Sequence, residues 1–307
     1  MTLRNHQNKL AIVIPYYKID FFEETIKSVA AQTNKNFVLY IGNDASPNDP
    51  ISIIEKYLQP ESYFYFSYKD NLGGKNLALQ WERILENVKE EWFQILGDDD
   101  MISENFVEEF YNNIPNANER NINVLKFLFH WINKDSSTYK IHDYNTEFIK
   151  AEEILQKKYF AEIDSSLSEN VFRTSMYKKY RFEKIPLAWG SDELAILSFS
   201  GTTSVLFVKG AIVSIRIFPN SISGSKEKSR EKSHAYNIYR EKLIIKYGHR
   251  FPAHFVEKVA DDYLNWSYYQ KQDANPKVIF YYLKRFQFIK ALKTGRRIFY
   301  IKRKLKM

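Results

Sequence analysis

Three adjacent carboxylates, Asp98, Asp99 and Asp100, follow a short apolar segment at residues 92–96. Adjacent like charges repel, and carboxylates at the edge of a core are costly to desolvate. Asp98 and Asp100 lie two positions apart, so both side chains can be directed at one point. Hard oxygen ligands at this spacing suit Mg²⁺ or Mn²⁺. The alternative interpretation is a solvated acidic turn that caps a helix predicted for residues 103–110.

Strands and helices alternate along the first third of the chain. Continuous apolar runs, typical of strands buried on both faces, occur at residues 9–16, 37–44, 63–68 and 92–96. Apolar residues at helical spacing occur between these runs, at residues 21–32, 51–57 and 77–88. This alternation predicts an α/β protein with a parallel-type sheet covered by helices.

Polar residues lie at or beyond the end of each predicted strand. They are found at residues 15–16, 43–44, 70–71 and 98–100. In open α/β sheets, ligands bind at the carboxyl ends of the strands. We therefore expect four strand ends to converge on one polar crevice.

The rest of the chain contains weaker signals. Further strands are predicted at residues 123–132, 203–209 and 211–217, and helices at residues 151–160 and 191–199. A Ser- and Lys-rich segment without core-forming residues follows at 220–233. Three more helices are predicted at residues 234–247, 252–271 and 276–292, the last with Asn275 as N-cap and Pro276 as its first residue.

The composition excludes several classes of site. No cysteine occurs among the 307 residues, which excludes disulfides, zinc–thiolate sites and cysteine nucleophiles. The absence of cysteine fits a reducing compartment. The apolar run near the N-terminus is too short for a signal peptide or a membrane span, and no run of 18 apolar residues occurs anywhere in the sequence. We therefore expect a soluble, cytoplasmic protein.

Positive charge is concentrated in the last 34 residues. Residues 274–307 contain 11 Lys or Arg and no Asp or Glu, whereas the preceding 273 residues contain 34 basic and 37 acidic side chains. A basic segment can meet nucleic acid or anionic lipid. Zinc-finger spacing and RNP-like aromatic motifs are absent, which disfavours nucleic acid. Aromatic, aliphatic and basic residues alternate at spacings that fit an amphipathic helix on an anionic bilayer. A packing helix with a solvated cationic face is the alternative.

The order of four motifs resembles the nucleotide-sugar-binding half of family 2 glycosyltransferases. These motifs are AIVIPYY, IGNDAS, DNLGGKN and FQILGDDD. The resemblance covers residues 9 to about 110 and extends to about 224. It implies the GT-A fold, a Rossmann-like mixed sheet flanked by helices, here with a C-terminal helical extension.

The resemblance also implies a domain organisation. A GT-A domain would span residues 1–218, with a nucleotide-sugar-binding half at 1–110 and an acceptor-binding half at 111–218. A mobile loop at 219–233 would close over the donor, where Arg216, Ser221 and Ser223 fit the family's Arg…Ser-x-Ser pattern. A helical region with the basic tail would follow at 234–307.

The implied activity is transfer of a sugar from a nucleoside diphosphate donor to an acceptor hydroxyl, with inversion. The implied cofactor is Mn²⁺ or Mg²⁺ on Asp98 and Asp100. Many acceptors of the family are lipid-linked sugars, which suggests surface polysaccharide biosynthesis. The enzyme would then act in the cytoplasm, peripherally on the inner face of a bacterial plasma membrane through its basic tail.

The resemblance implies how the donor base is recognised. Pro15 and Tyr16 match the end of the family's first strand, where an aromatic ring or nearby backbone packs on the base. Asp44 matches the Asp that accepts a hydrogen bond from the base imide N–H, which favours a UDP- or dTDP-type donor. An ordinary Asx-turn is the alternative role of Asp44.

Further donor contacts are implied after the third and fourth strands. Asn71, Gly73 and Lys75 lie in a loop of the kind that lines the nucleotide and its phosphates. Glycine lets the backbone approach closely, and a lysine can neutralise phosphate charge. Asp98 and Asp99 complete the predicted donor contacts.

The acceptor half must supply a general base. Asp192, at the start of a predicted helix, matches the Asp of a Glu-Asp pair that deprotonates the acceptor in this family. Here Ser191 replaces the Glu of that pair, so the choice between Asp192 and Glu193 stays open. A helix-initial Asp is also an ordinary cap, with Ser191 as the competing N-cap.

Three other functions are alternatives to glycosyl transfer. A sugar nucleotidyltransferase would normally have a Gly-rich basic loop after the first strand, where this chain has PYYKIDFF. A non-catalytic GT-A-like protein that binds nucleotide or carbohydrate would not need Asp98, Asp100 and Asp192. Nucleic-acid binding would rest on the basic tail alone.

Overall fold

The computed structural model describes residues 8–219, 221 and 224–305 of the chain. The protein divides into two compact units, residues up to 228 and residues from 229 onward. The division falls inside the segment predicted as a loop, and residues 229–233 belong to a helix. Ser223 of the predicted Arg…Ser-x-Ser pattern lies outside the described residues.

A mixed ten-stranded sheet forms the centre of the first unit. Its strands are β1 (Leu10–Tyr16), β2 (Phe37–Asn43), β3 (Tyr63–Ser67), β4 (Trp92–Ile95), β5 (Met101–Ile102), β6 (Val124–Ile132), β7 (Thr138–His142), β8 (Phe148–Lys150), β9 (Asn170–Arg173) and β10 (Ser204–Arg216). Their order is β3-β2-β1-β4-β9-β6-β10-β5, with β7 beside β6 and β8 beside β10. The first four strands are parallel, as the alternation predicts.

Strand β9 makes the sheet mixed and joins its two halves. It pairs antiparallel with β4 on one side and with β6 on the other. Strand β10 is continuous where two strands were predicted, and a bulge between Val208 and Ile212 interrupts its parallel pairing with β6. Strand β5, directly after the three aspartates, pairs with the distal part of β10. The acidic turn is therefore held by strands from both halves of the sheet.

Helices cover the sheet and build the second unit. Those of the first unit are α1 (Phe22–Ala30), α2 (Ile51–Tyr57), α3 (Leu77–Leu85), α4 (Phe106–Glu119), α5 (Ala151–Tyr159), α6 (Thr174–Tyr180) and α7 (Ser191–Ser200). Those of the second are α8 (Ser229–Lys242), α9 (Ala253–Tyr269), α10 (Val278–Leu283) and α11 (Phe288–Leu305). Within the described ranges, no helix is both long and apolar enough to cross a membrane.

The helix predicted for residues 276–292 is wrong in its extent. The structure has two helices there, α10 and α11, separated at Phe286, whose φ of 57° lies in the left-handed region. Helix α10 begins at Val278, so Pro276 precedes the helix. The Asn275 carboxamide oxygen still accepts a hydrogen bond from the Lys277 N–H at 3.0 Å, which orders the entry to the helix.

The apolar pattern explains the core. Strand β1 is buried along its whole length apart from Pro15, because it lies between β2 and β4 and is covered on both faces. Helix α1 buries Phe22, Ile26 and Val29, which lie four and three residues apart on one helical face. Trp92 of β4 is fully buried in the same core.

A buried ion pair fixes the segment that enters β9. Lys126 of β6 and Glu169 are both fully buried, and the Lys126 Nζ lies 2.6 Å from Glu169 Oε1. The same ammonium donates to the Ser165 hydroxyl at 2.7 Å and to the Asn170 carboxamide oxygen at 3.3 Å. Burial lowers the pKa of Lys126, whereas Glu169 opposes that shift. The pair therefore holds residues 165–170 against β6.

Replacing Lys126 with methionine should destabilise the first unit strongly. Glu169 would remain buried without its cation, and breaking a buried pair on one side costs about 3–5 kcal/mol of unfolding free energy. The double variant Lys126→Met/Glu169→Leu should recover much of this loss, because both charges are gone. Urea unfolding, followed by tryptophan fluorescence, measures the unfolding free energy of both variants.

The matched control is Lys56→Met, which removes an exposed lysine paired with Glu23. It should change the unfolding midpoint little, since exposed pairs contribute little. A Lys126→Met protein as stable as the double variant would show that the buried pair does not hold this segment.

Candidate active site

Asp98 links the end of β4 to the end of β1. Its Oδ2 accepts hydrogen bonds from the backbone N–H groups of Tyr17 and Lys18, both at 2.7 Å. Burial raises the pKa of Asp98, and the two N–H groups oppose that rise. These strands are parallel neighbours, so their carboxyl ends meet at the same edge of the sheet.

Asp100 points into the protein and joins three chain segments. Its Oδ1 accepts a hydrogen bond from the Arg216 backbone N–H at 2.9 Å, and its Oδ2 accepts one from the Ser168 hydroxyl at 2.5 Å. Only 6% of the residue is exposed. Burial raises the pKa of Asp100 to about 6, although both hydrogen bonds favour the charged form.

Asp99 differs from its two neighbours. It is half-buried, and no described residue donates a hydrogen bond to its carboxylate. Burial raises the pKa of Asp99 well above its ordinary value, and repulsion from Asp100 and Asp98 raises it further. This carboxylate therefore sits among like charges, with its oxygens available to a ligand.

The acidic turn fits a divalent ion of the kind that shares its site with phosphates. Within the described residues, no three Asp, Glu, His or Cys side chains are arranged to hold one metal ion. Mg²⁺ binds through one or two carboxylates and completes its shell with waters and substrate phosphates, so three protein ligands are not required. The repulsion that raises the pKa of Asp99 is what a divalent cation would offset. The assignment of Asp98 and Asp100 as ligands stays a prediction.

Asp44 anchors the loop that follows β3. Its two oxygens accept hydrogen bonds from the backbone N–H groups of Leu72 at 2.8 Å and Gly73 at 2.7 Å. The Arg83 guanidinium also pairs with it and stacks 3.7 Å from the Tyr68 ring. Only 3% of Asp44 is exposed, so a base imide would reach it only after this loop moves. Its contact with the base stays a prediction.

Close packing explains the glycine in this loop. A Cβ on Gly73 would lie 2.6 Å from Asp44 Oδ2, so only glycine lets the backbone reach the carboxylate. Asn71 turns inward and accepts a hydrogen bond from the Gly74 N–H. Lys75 is exposed at the end of the loop. The structure therefore places the predicted loop residues together, with the lysine facing solvent.

Tyr16 cannot stack on a base in this conformation. Its ring is fully buried 4.5 Å from the Phe22 ring, and its hydroxyl donates to the Asn48 carbonyl at 3.0 Å. The neighbouring aromatic, Tyr17, is 40% exposed. The other part of the prediction, contact with the base through the backbone near Pro15, stays untested.

Asp192 lies in the first turn of α7, where one of two adjacent carboxylates is already paired. Glu193 is buried and lies 2.9 Å from the Lys158 Nζ, whereas Asp192 is half-buried. Burial raises the pKa of Asp192 to about 6, Lys158 opposes the rise, and Glu193 adds to it. This arrangement favours Asp192 over Glu193 as a proton acceptor.

The turn before α7 has an unusual backbone. Leu187 and Ala188 have φ values of 56° and 51°, and Gly190 has a φ of 88°. Gly190 occupies the N-cap position, and the Ser191 hydroxyl donates to the Glu183 carbonyl at 2.7 Å. The expected cap role of Ser191 is therefore not observed. Left-handed non-glycine residues often occur near functional sites, where surrounding structure enforces them.

Arg216 holds the acidic turn in place. Its guanidinium makes five hydrogen bonds: to the carbonyls of Asp99, Asn133 and Lys134, to the Glu24 carboxylate and to the Ser136 hydroxyl. These bonds use all five guanidinium N–H groups. Ser221 is also engaged locally, because its hydroxyl donates to the Phe218 carbonyl at 2.8 Å. In this conformation neither side chain is free to meet a donor.

Two residues that shape the site are not singled out by the sequence. Ser168 holds Asp100, and Glu169 raises the pKa of both Asp100 and Asp192. The two predicted centres, the acidic turn and α7, are therefore electrostatically linked through one loop. Both residues lie in a polar segment before a short strand, which has no pattern that signals a site.

Comparisons with known proteins address the family and the fold. The family described as Glycosyl transferase family 2 matches residues 11–185. An uncharacterized glycosyltransferase of Rickettsia typhi is 34% identical over 131 residues, which are 42% of this chain and 35% of the relative. The glycosyltransferase GlyA of Streptococcus pneumoniae is 22% identical over 185 residues, 57% of this chain and 26% of GlyA. The chain thus spans about a third or less of these relatives.

A solved structure shows the fold. The S. aureus protein TarS, residues 1–349 in complex with UDP-GlcNAc, is 15% identical, with a TM-score of 0.64. The match covers 97% of this chain and 88% of that one. The expected GT-A fold with a C-terminal helical region is confirmed. Because the family match covers more than half of the sequence, the chain belongs to glycosyl transferase family 2.

Proposed function

We propose that this chain transfers a sugar from a nucleoside diphosphate donor of UDP type to an acceptor hydroxyl, with inversion. The observation that carries the proposal is Asp192, a half-buried carboxylate whose pKa is raised to about 6. Glu169 raises the pKa of Asp192 and also that of Asp100 in the acidic turn. Family membership supports glycosyl transfer, and TarS, whose structure contains UDP-GlcNAc, supports a UDP-sugar as the donor class.

The donor would lie over the carboxyl ends of β1, β2 and β4. The backbone near Pro15 would face the base, and Asp44 would accept its imide N–H after the loop of Asn71, Gly73 and Lys75 has shifted. Lys75 is exposed and can then approach a phosphate. Half-buried Asp99, with no hydrogen-bond donor among the described residues, is available to the donor or its ion.

The reaction requires a base for the acceptor hydroxyl and stabilisation of the negative charge on the departing diphosphate. Asp192 takes the proton from the acceptor hydroxyl as that oxygen attacks the anomeric carbon from the face opposite the diphosphate. One such displacement inverts the anomeric centre. Mn²⁺ or Mg²⁺, held by Asp98 and Asp100, would stabilise negative charge on the departing diphosphate. Asp192 must be charged to act, so the reaction should accelerate as pH rises through about 6.

The acceptor we propose is a glycan or lipid-linked sugar used in surface polysaccharide biosynthesis. We further propose that the enzyme works in the cytoplasm, bound peripherally to the inner face of the membrane. The basic, aromatic segment at residues 274–307 supports this placement.

Asp100→Asn should lower metal-dependent release of UDP on the order of 100-fold, as loss of an electrostatic contact at a leaving group does. The assay screens UDP- and dTDP-sugars with and without Mn²⁺, with water as acceptor. The control is Asp143→Asn, which removes an exposed carboxylate paired with Lys209. UDP release that does not depend on Mn²⁺, or that persists in the Asp100→Asn variant, would contradict the assignment of the metal ligands. If wild type neither cleaves nor binds UDP-sugars, the proposed UDP-type donor is disproved.

Asp192→Asn should lower the turnover number by about 100- to 10,000-fold, the range for loss of a general base. UDP binding, measured by calorimetry, should be unchanged, because the role proposed for Asp192 is toward the acceptor hydroxyl and not toward the nucleotide. Glu193→Gln is the matched control and should retain far more activity, since Glu193 is paired with Lys158. If Glu193→Gln lost more activity than Asp192→Asn, Glu193 would be identified as the base.

Lys158→Met should move the pH–rate midpoint to higher pH. Lys158 is the main group that lowers the pKa of Asp192, so its loss leaves the rise caused by burial and by Glu193 largely unopposed. Asp100 also has a pKa of about 6, so the wild-type midpoint alone does not identify the base. Lys157→Met, which removes an exposed lysine paired with Glu153, should leave the profile unchanged. An unshifted midpoint in Lys158→Met would exclude Asp192 as the titrating group.

A further inference from the structure

Large apolar side chains are exposed together on α10, α11 and the turn between them. Phe286 is 81% exposed, Ile289 73% and Phe299 70%. Single exposed apolar residues are ordinary on protein surfaces, but a cluster of them marks an interaction site. We call this cluster the aromatic face; its members are Phe280, Phe286, Phe288, Ile289, Leu292, Phe299 and Tyr300.

Helix α11 has two distinct sides. Ala291, Thr294, Ile298 and Ile301 are buried and follow the helical period. At 100° per residue, the aromatic face lies on the opposite side of this helix. The buried side therefore accounts for the packing of α11 within its unit. The aromatic face is separate from that buried side.

The aromatic face includes a concave part. Helices α10 and α11 enclose a groove of about 650 Å³, lined by Ile279, Leu283, Phe288, Leu292 and Phe299 among others. Arg296 lies at the same groove. An apolar groove with a cationic side chain at its margin suits an amphiphile with a negative head group.

Unpaired cations accompany the aromatic face. Lys293, Arg296 and Arg303 occupy the same side of α11, and no described carboxylate pairs with any of them. By contrast, Lys290 and Arg297, on the flank of the helix, pair with Glu257 and Asp261 of α9. The flanking cations are thus paired, whereas those beside the apolar side chains have no counterion among the residues that the structure describes.

We infer that the aromatic face binds an anionic phospholipid surface. Phe286, Phe288, Ile289, Leu292 and Phe299 would enter the boundary between head groups and acyl chains, while the three unpaired cations contact lipid phosphates. A second copy of the chain fits less well, because a two-fold contact would bring like charges together. Nucleic acid would leave the aliphatic side chains of this face without a role.

This inference deepens the membrane part of the proposed function and does not depend on which sugar is transferred. The test is sedimentation of the full chain with vesicles of phosphatidylcholine alone and of phosphatidylcholine mixed with phosphatidylglycerol. The protein should sediment with the anionic vesicles only, and added salt should weaken the binding.

Two sets of variants separate the contributions. Phe286→Ser/Leu292→Ser/Phe299→Ser and Lys293→Gln/Arg296→Gln/Arg303→Gln should each weaken partition at least tenfold. The control Lys89→Gln/Lys178→Gln/Lys179→Gln removes the same charge from exposed positions of the other unit and should bind like wild type. All three should release UDP in solution at the wild-type rate, so loss of vesicle binding is distinguishable from failure of the transfer reaction.

Three results would overturn the inference. If the control variant lost as much vesicle binding as the variant without the three cations of α11, the binding would be nonspecific attraction between charges. Wild-type binding by the serine variant would mean that the apolar residues do not enter the bilayer. A lipid-free dimer that dissociates in the serine variant, seen by sedimentation equilibrium, would assign the face to self-association.

Discussion

The Asp100 carboxylate, held between the Arg216 N–H and the Ser168 hydroxyl, is the constraint on which the site depends. It fixes the turn after β4 against both the end of β10 and the loop before β9. The Arg216 guanidinium strengthens the same junction by bonding the Asp99 carbonyl and the Glu24 carboxylate. A buried charge is stable only when it is well hydrogen-bonded, so each of these contacts requires the others. The acidic turn is consequently part of the core and is preorganised.

This constraint gives three adjacent carboxylates different roles. Asp98 and Asp100 each accept two hydrogen bonds from protein groups, whereas Asp99 accepts none from the described residues. Burial and mutual repulsion raise the pKa of Asp99 and Asp100, so the cluster favours either a proton or an external cation. Protons and a divalent ion would therefore compete for the same negative charge. An acidic turn that was merely solvated would not bury a carboxylate to the extent seen at Asp100, of which only 6% is exposed.

The sequence predicts a strand well where it forms a continuous run of buried apolar residues. It predicts poorly those strands that form only through contacts with residues distant in the chain. Strands β1 to β4 were predictable because each is a continuous apolar run, and the convergence of their polar ends follows from parallel pairing. Strands β5, β7, β8 and β9 have two to five residues and depend on distant partners. A strand buried on both faces gives no sign of the side to which Tyr16 points. The sequence also gives no sign of the left-handed conformation of Phe286, which separates α10 from α11.

The pair Asp192 and Glu193 shows why the sequence alone leaves two candidates for the proposed base. Adjacent residues on a helix point about 100° apart, so they meet different surroundings. Glu193 meets Lys158 and is neutralised by it, while Asp192 is buried enough to raise its pKa to about 6 yet keeps access to solvent. The two adjacent carboxylates therefore differ in their ion pairing and exposure, although both lie in the first turn of the same helix. The residue that distinguishes the surroundings of the two carboxylates is Lys158, which lies more than 30 positions away in sequence. No local pattern could have indicated it.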